Sequence, residues 1–200
     1  MSHSLTKHDA QIPPDLIGVT RPVTHRQFER LCRKYPDLRL ELTSTGELIV
    51  MPPAGLQSSR SNFDLTYQLG IWAKNDDTGI SFDSSAGFVL PNGAIRGPDA
   101  SWIKREKWDR LTDKQKERFG PFCPDFVVEV SSPGDRLTQL RDKMLEYMEN
   151  GASLGWLIDP RSHRVYVYRP DQEVVVLENP EILSADPLLP GFELRIAELW

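Results

Sequence analysis

The chain has 200 residues, 39% of them hydrophobic, and a formal net charge of −5. That length and apolar share are enough for one globular domain with a real core, and the acidic balance argues against non-specific coating of nucleic acid. No run of about 18 apolar residues occurs, so no transmembrane span is expected.

The polar stretch over residues 1–11 lacks the apolar segment of a secretory signal. Cys32 and Cys123 lie far apart and outside CxxC spacing, which fits buried thiols in a reducing cytoplasm. Basic charge is local. Lys104, Arg105, Lys107, Arg110, Lys114, Lys116 and Arg118 cluster in one stretch, whereas Arg195 is the one base among seven acids from Asp171 onward.

In chain order, residues 1–20 read as a flexible tail and 21–200 as a single domain. Thr24-His25-Arg26-Gln27 is a capping-box pattern. Phe28, Leu31, Cys32 and Tyr35 then predict a helix that Pro36 stops. Leu38, Leu40 and Leu42 alternate with Arg39, Glu41 and Thr43, and Glu47–Met51 returns after Ser44-Thr45-Gly46, so a hairpin is expected.

A helix over Ser59–Lys74 carries Phe63, Leu65, Tyr67, Leu69, Ile71 and Trp72 almost all round, which predicts cover on most sides. Strands follow over Ile80–Leu90 and Ala100–Ile103, with a short helix or two in the basic stretch. After a strand centred on Phe126–Val130, Asp135 is expected to cap a helix from Arg136 to Asn150, with Gly151 beyond its end. Strands at Gly155–Ile158, Arg164–Tyr168, Val174–Leu177 and Phe192–Ile196 complete an α/β domain. Its mixed β-sheet is flanked by helices and carries hairpins at both ends.

The 123–131 stretch organises the rest. Side chains alternate along a strand, so Asp125, Val127, Glu129 and Ser131 share one face and Phe126, Val128 and Val130 the other. A carboxylate inside a buried strand is costly unless it is paired or holds a cation. Asp99 opens another strand. If the two strands are neighbours, Asp99 and Glu129 can meet on one face and hold a hard divalent cation such as Mg²⁺.

Each residue also has a plainer explanation. Asp99 and Asp125, both after proline, could satisfy turn donors. Glu129 could pair with a buried arginine, and Glu41 fits a solvated hairpin face. Lys143 shares a helix flank with Gln139 and Tyr147 and could be a surface lysine lying over apolar neighbours.

These residues together resemble a known family. Glu41-Leu42, Gly46–Gly55, Arg96-Gly97-Pro98-Asp99, Pro124–Asp135, Lys143 with Tyr147 and Gly155–Pro160 are similar, in order and spacing, to the Uma-type putative restriction endonuclease family. That family falls within the PD-(D/E)XK restriction-endonuclease-like superfamily, and the likeness spans roughly Arg26–Ile196.

The resemblance implies a restriction-endonuclease-like core and Mg²⁺-dependent hydrolysis of DNA phosphodiester bonds, with Mn²⁺ as a substitute. Asp99 and Glu129 carry over as metal-binding carboxylates, with Glu41 as an outer or third ligand. The superfamily's lysine, two residues after the glutamate, is replaced by Ser131, which makes Lys143 the candidate for its role. Family members often carry a histidine shortly after Pro-Pro-x-Gly; here the positions read Leu56-Gln57-Ser58-Ser59-Arg60.

The resemblance also makes the basic 104–118 stretch a candidate for contacting the phosphate backbone. The competing expectation is a non-catalytic relative that binds nucleic acid or protein, motivated by the absent lysine and the acidic surface. A homodimer formed through apolar hairpins is a further expectation. No nucleotide-binding glycine loop, serine-hydrolase elbow or zinc spacing of histidines is present.

Overall fold

The computed structural model describes Pro13, Leu16, residues 21–51 and residues 53–200. The tail expected over 1–20 lies, apart from Pro13 and Leu16, outside the described residues. The chain divides into two compact units, Met1–Pro53 with Asn92–Arg96, and Ala54–Pro91 with Gly97–Trp200.

In the first unit, helix α1 (His25–Lys34) starts at the predicted capping box. Thr24 accepts from the Gln27 N–H, and the Gln27 side chain accepts from the Thr24 N–H at 2.8 Å. Phe28 anchors the helix with no exposed surface.

Strands β1 (Arg39–Leu42) and β2 (Leu48–Met51) form the expected antiparallel hairpin, with Leu42 opposite Leu48. Gly46 has φ +84°, a left-handed conformation that a side chain would strain. β1 also pairs with the short strand over Ile95–Arg96, Leu42 facing Ile95. Glu41 departs from expectation. It is 2% exposed rather than solvated, and the guanidinium of Arg96, itself buried, stands 3.2 Å away. The hairpin's pattern showed the alternation of side chains, and the cation on a neighbouring strand decides why the glutamate can be inside.

The second unit begins with helix α2 (Leu56–Asp76), longer at both ends than predicted, and closes at Asp77 in the left-handed conformation. Its cover is one-sided. Leu65, Leu69 and Ala73 are buried, but Phe63, Tyr67 and Ile71 stay 67%, 58% and 45% exposed, which corrects the expectation of a helix covered nearly all round.

The predicted 80–90 strand is two strands, β3 (Gly79–Asp83) and β4 (Phe88–Val89). The Ile95–Arg96 strand of the first unit is therefore β5. Then come β6 (Ala100–Lys104), α3 (Arg105–Asp109), α4 (Asp113–Lys116), β7 (Phe126–Val130), α5 (Leu137–Glu149), β8 (Leu154–Asp159), β9 (Arg164–Tyr168), β10 (Val175–Glu178), β11 (Ile182–Ser184) and β12 (Glu193–Arg195). Asp135 does not cap α5. Its side chain accepts from the Ser132 N–H at 2.7 Å and so closes the preceding turn. Gly151, at φ +102°, takes the left-handed position past the helix end as predicted.

Six strands form one mixed sheet in the order β10-β9-β8-β7-β6-β3. Only β7 and β8 run parallel, and α5 is the crossover between them. On one sheet face Trp102, Phe126, Val128 and Trp156 pack with Leu65 and Leu69 of α2 and with Phe192 and Leu194. The Phe126 and Trp156 rings meet edge-on at 4.9 Å. On the other face lies α5. A Cβ on Gly155 would fall 2.4 Å from the Met144 terminal methyl, 3.0 Å from that of Met148 and 3.3 Å from a Val127 methyl, so any larger residue there would have to push the methionine ends aside.

Cys123, just before β7, is buried, and its thiol donates to the Tyr147 carbonyl at 3.5 Å. Burial pushes this thiol up to about 12, outweighing the opposing pull of Lys107. An unfolded cysteine titrates near ~8.5. Between those values the unfolded chain binds fewer protons than the folded one, so stability falls as pH rises. Urea unfolding at pH 7.5 and 10 should show the wild type losing about 2 kcal/mol relative to Cys123→Ala; a constant difference between the two proteins contradicts the buried-thiol assignment.

Candidate functional site

Strand β7 separates two environments. Phe126, Val128 and Val130 enter the aromatic core, while Val127 and Glu129 turn towards α5. Glu129 is 3% exposed. Its Oε1 accepts a hydrogen bond from the Tyr147 hydroxyl at 3.0 Å and stands 2.8 Å from the Lys143 ammonium. Lys143 and Tyr147 are one turn apart on α5, so a single helix face delivers both donors to one oxygen. The arginine pairing considered for Glu129 is a lysine pairing, with the Lys143 side chain only 11% exposed.

Asp99 immediately precedes β6. Ala100 faces Val128 and Ser101 faces Val127 across the antiparallel pair, so the next position out sets Asp99 opposite Glu129. Side chains so opposed have Cβ atoms ~5 Å apart. The Asp99 Oδ2 accepts from the Val130 N–H at 2.9 Å, which pins it beside Glu129 on β7. Its Oδ1 accepts from the Asn62 amide nitrogen at 3.2 Å. Asn62 comes from α2, and one turn earlier the Ser58 hydroxyl meets that of Ser132 at 3.0 Å.

Asn62 was not singled out from the sequence. The available signal is positional: Ser58, Ser61 and Asn62 precede Leu65 by seven, four and three residues and so continue its covered face in polar form.

The other candidates lie elsewhere. Asp125 is buried at the far end of β7, about 13 Å along the strand from Glu129. It accepts from the Lys104 N–H at 2.9 Å and pairs with Lys107 at 3.0 Å, a local anchor for the basic stretch. Ser131 donates its hydroxyl to Asp159 at 3.0 Å. Burial raises the Asp159 pKa, but the hydrogen bonds from Ser162, Ser131 and nearby backbone N–H groups outweigh it and hold this carboxyl below its ordinary value. Glu41 is engaged with Arg96 in the first unit.

Much of the basic stretch is also engaged. Arg105 pairs with Asp77, Arg110 with Glu106, and the Lys116 ammonium sits 4.8 Å from the centre of the Trp108 ring. Lys104, Lys114 and Arg118 are exposed. Among the described residues, no three histidine, cysteine or acidic side chains gather as a metal-binding group.

A family model described as Uma2, putative restriction endonuclease, matches residues 25–197. The chain belongs to the Uma2 family. A solved structure, a putative nuclease belonging to DUF820 from Anabaena variabilis, is similar to this Uma2 protein with a TM-score of 0.74 and 23% identity, over 89% of this chain and 97% of that one. The likeness is one of fold, and it bears out the expected mixed α/β nuclease-like architecture. No curated protein matches. No helix among the described residues is long and apolar enough to cross a membrane.

The Glu129–Lys143 pair generates a stability test. Lys143→Met takes away the ammonium facing a buried carboxylate and should cost about 3 kcal/mol in urea unfolding. Glu129→Gln/Lys143→Met removes both charges and should cost less than Lys143→Met alone. A double-variant cost equal to the sum of the two single variants would show that the groups are energetically independent.

Proposed function

We propose that this Uma2 protein is a divalent-cation-dependent endonuclease that hydrolyses DNA phosphodiester bonds in the cytoplasm. The observation that carries the proposal is one carboxylate, Glu129, with an ammonium 2.8 Å away and a second carboxylate, Asp99, opposite it on the neighbouring strand. The donor set fits a hard cation: carboxylate oxygens, few in number, beside the buried and unpartnered carbonyl oxygen of Asn62.

Asp99 and Glu129 would hold Mg²⁺ or Mn²⁺. When bound, such an ion lowers the pKa of a coordinated water and neutralises charge on a phosphoryl oxygen. The rest falls to the chain's own groups. The Val130 N–H and Asn62 orient Asp99, and Tyr147 orients Glu129. The Lys143 ammonium, 2.8 Å from Glu129, would stabilise negative charge building up on the phosphate in the transition state. Ser131 carries no positive charge and is engaged with Asp159. Exposed Lys104, Lys114 and Arg118 supply contacts to the phosphate backbone, which give affinity without sequence information.

A second reading, a non-catalytic binding module, draws on the same pair. Lys143 already neutralises Glu129, so the fold does not require a cation to tolerate the buried carboxylate. Nicking of supercoiled plasmid in Mg²⁺ or Mn²⁺ separates the two. Asp99→Ala, Glu129→Ala and Lys143→Ala should each lower the rate by about 100-fold or more. Equal rates in all four proteins would remove this assignment, and no nicking above background in the wild type would favour the binding module.

The homodimer belongs to the first reading. β10 is an edge strand whose Val175 and Val176 are 49% and 46% exposed, a surface suited to pairing with a second copy. Sedimentation should show a dimer that Val176→Lys converts to monomer; a wild-type monomer at every concentration rules this surface out.

A further inference from the structure

The Asn62 amide has one half in use and one half without a partner. Its nitrogen donates to Asp99 Oδ1 at 3.2 Å. A carboxylate oxygen can only accept, so the amide orientation is dictated by Asp99, and the carbonyl oxygen must point elsewhere. That oxygen is buried and accepts no hydrogen bond. A buried acceptor left unpaired is costly, and in native proteins it usually marks an ordered water, an ion or a functional role. Ser101 Oγ and Trp102 Nε1 are also buried without hydrogen-bond partners, but no hydrogen bond ties either atom to a pocket carboxylate.

We infer that Asn62 is a positioning residue of the cation pocket: its nitrogen aims Asp99, and its carbonyl oxygen accepts from a water that accompanies the cation. The inference rests on the cation-binding role of Asp99 and Glu129 proposed above. Mg²⁺-like ions bind few protein oxygens and keep several waters, and those waters are strong donors. An acceptor fixed next to one carboxylate ligand is well placed to hold one of them. The amide is suited to both tasks because it pairs a donor for Asp99 with an acceptor for water on one rigid plane. Hydrogen-bond partners of this kind orient the ligands they touch, and removing them characteristically weakens metal affinity by about 10–100-fold.

The test is Mn²⁺ titration by calorimetry on the full chain, with thermal melts in EDTA and in Mn²⁺. Asn62→Leu keeps the volume and removes both polar atoms. It should weaken Mn²⁺ binding by about tenfold or more while the EDTA melt stays level or rises, because the orphaned acceptor is gone. Binding weakened by less than that overturns the inference. Asn62→Asp keeps the shape and serves if Asn62→Leu does not fold. It sets a like charge against Asp99, so it should lower the EDTA melt and enlarge the Mn²⁺-induced rise. A rise no larger than the wild type's overturns the inference. Asp99→Ala separates the two levels. If the wild type binds no Mn²⁺, or Asp99→Ala binds it as the wild type does, the pocket itself is misassigned. If Asp99→Ala abolishes binding and Asn62→Leu leaves it intact, only the role of Asn62 fails.

Discussion

A carboxylate inside a β-sheet is the constraint from which the rest of the second unit follows. Glu129 sits at 3% exposure in the middle of a six-stranded sheet, where an uncompensated charge would cost several kcal/mol. Compensation comes from α5, whose Lys143 and Tyr147 converge on one carboxylate oxygen. That convergence requires the helix to lie close to the sheet at a defined rotation. Gly155 leaves room for the methionine ends of α5, and the one-turn spacing of Lys143 and Tyr147 sets both donors on one helix face. A helix turned by a single residue, about 100°, would carry the ammonium away from Glu129.

In this geometry the ammonium reaches the glutamate from the helix and not from the strand. Position 131 is two residues beyond Glu129 on the same face of the chain, and α5 runs back over that face. Here the strand position holds a serine tied to Asp159, and the helix supplies the charge. The two acidic residues of the 123–131 stretch are thereby divided. Asp125 secures the start of the basic stretch through Lys107 and the Lys104 N–H, while Glu129 faces the lysine of α5.

Several charges of the described residues stand in pairs. Arg96 answers Glu41, Lys107 answers Asp125, Lys143 answers Glu129, and Arg105 answers Asp77. Net charge therefore says little about any one surface. Lys104, Lys114 and Arg118 of the 104–118 stretch are exposed cations on an acidic whole.

Periodicity and turn chemistry in the sequence were enough to determine the β1–β2 and β8–β9 hairpins, the capping box at Thr24 and the mixed sheet, but not the break between β3 and β4 or the short strands β5 and β11. These are local properties, governed by alternation along a strand and by which residues tolerate a turn. Glu129 also stood out, because a charge among β-branched neighbours is unusual whatever surrounds it. Three things were decided only by the tertiary structure. Glu41 is buried because Arg96, 55 residues on, faces it. Half of α2 stays bare because only one side meets the sheet. Asn62 reaches Asp99 because α2 packs where β6 begins. In each case the partner is distant in the chain, and local sequence carries no term for a contact that forms only when separate elements meet.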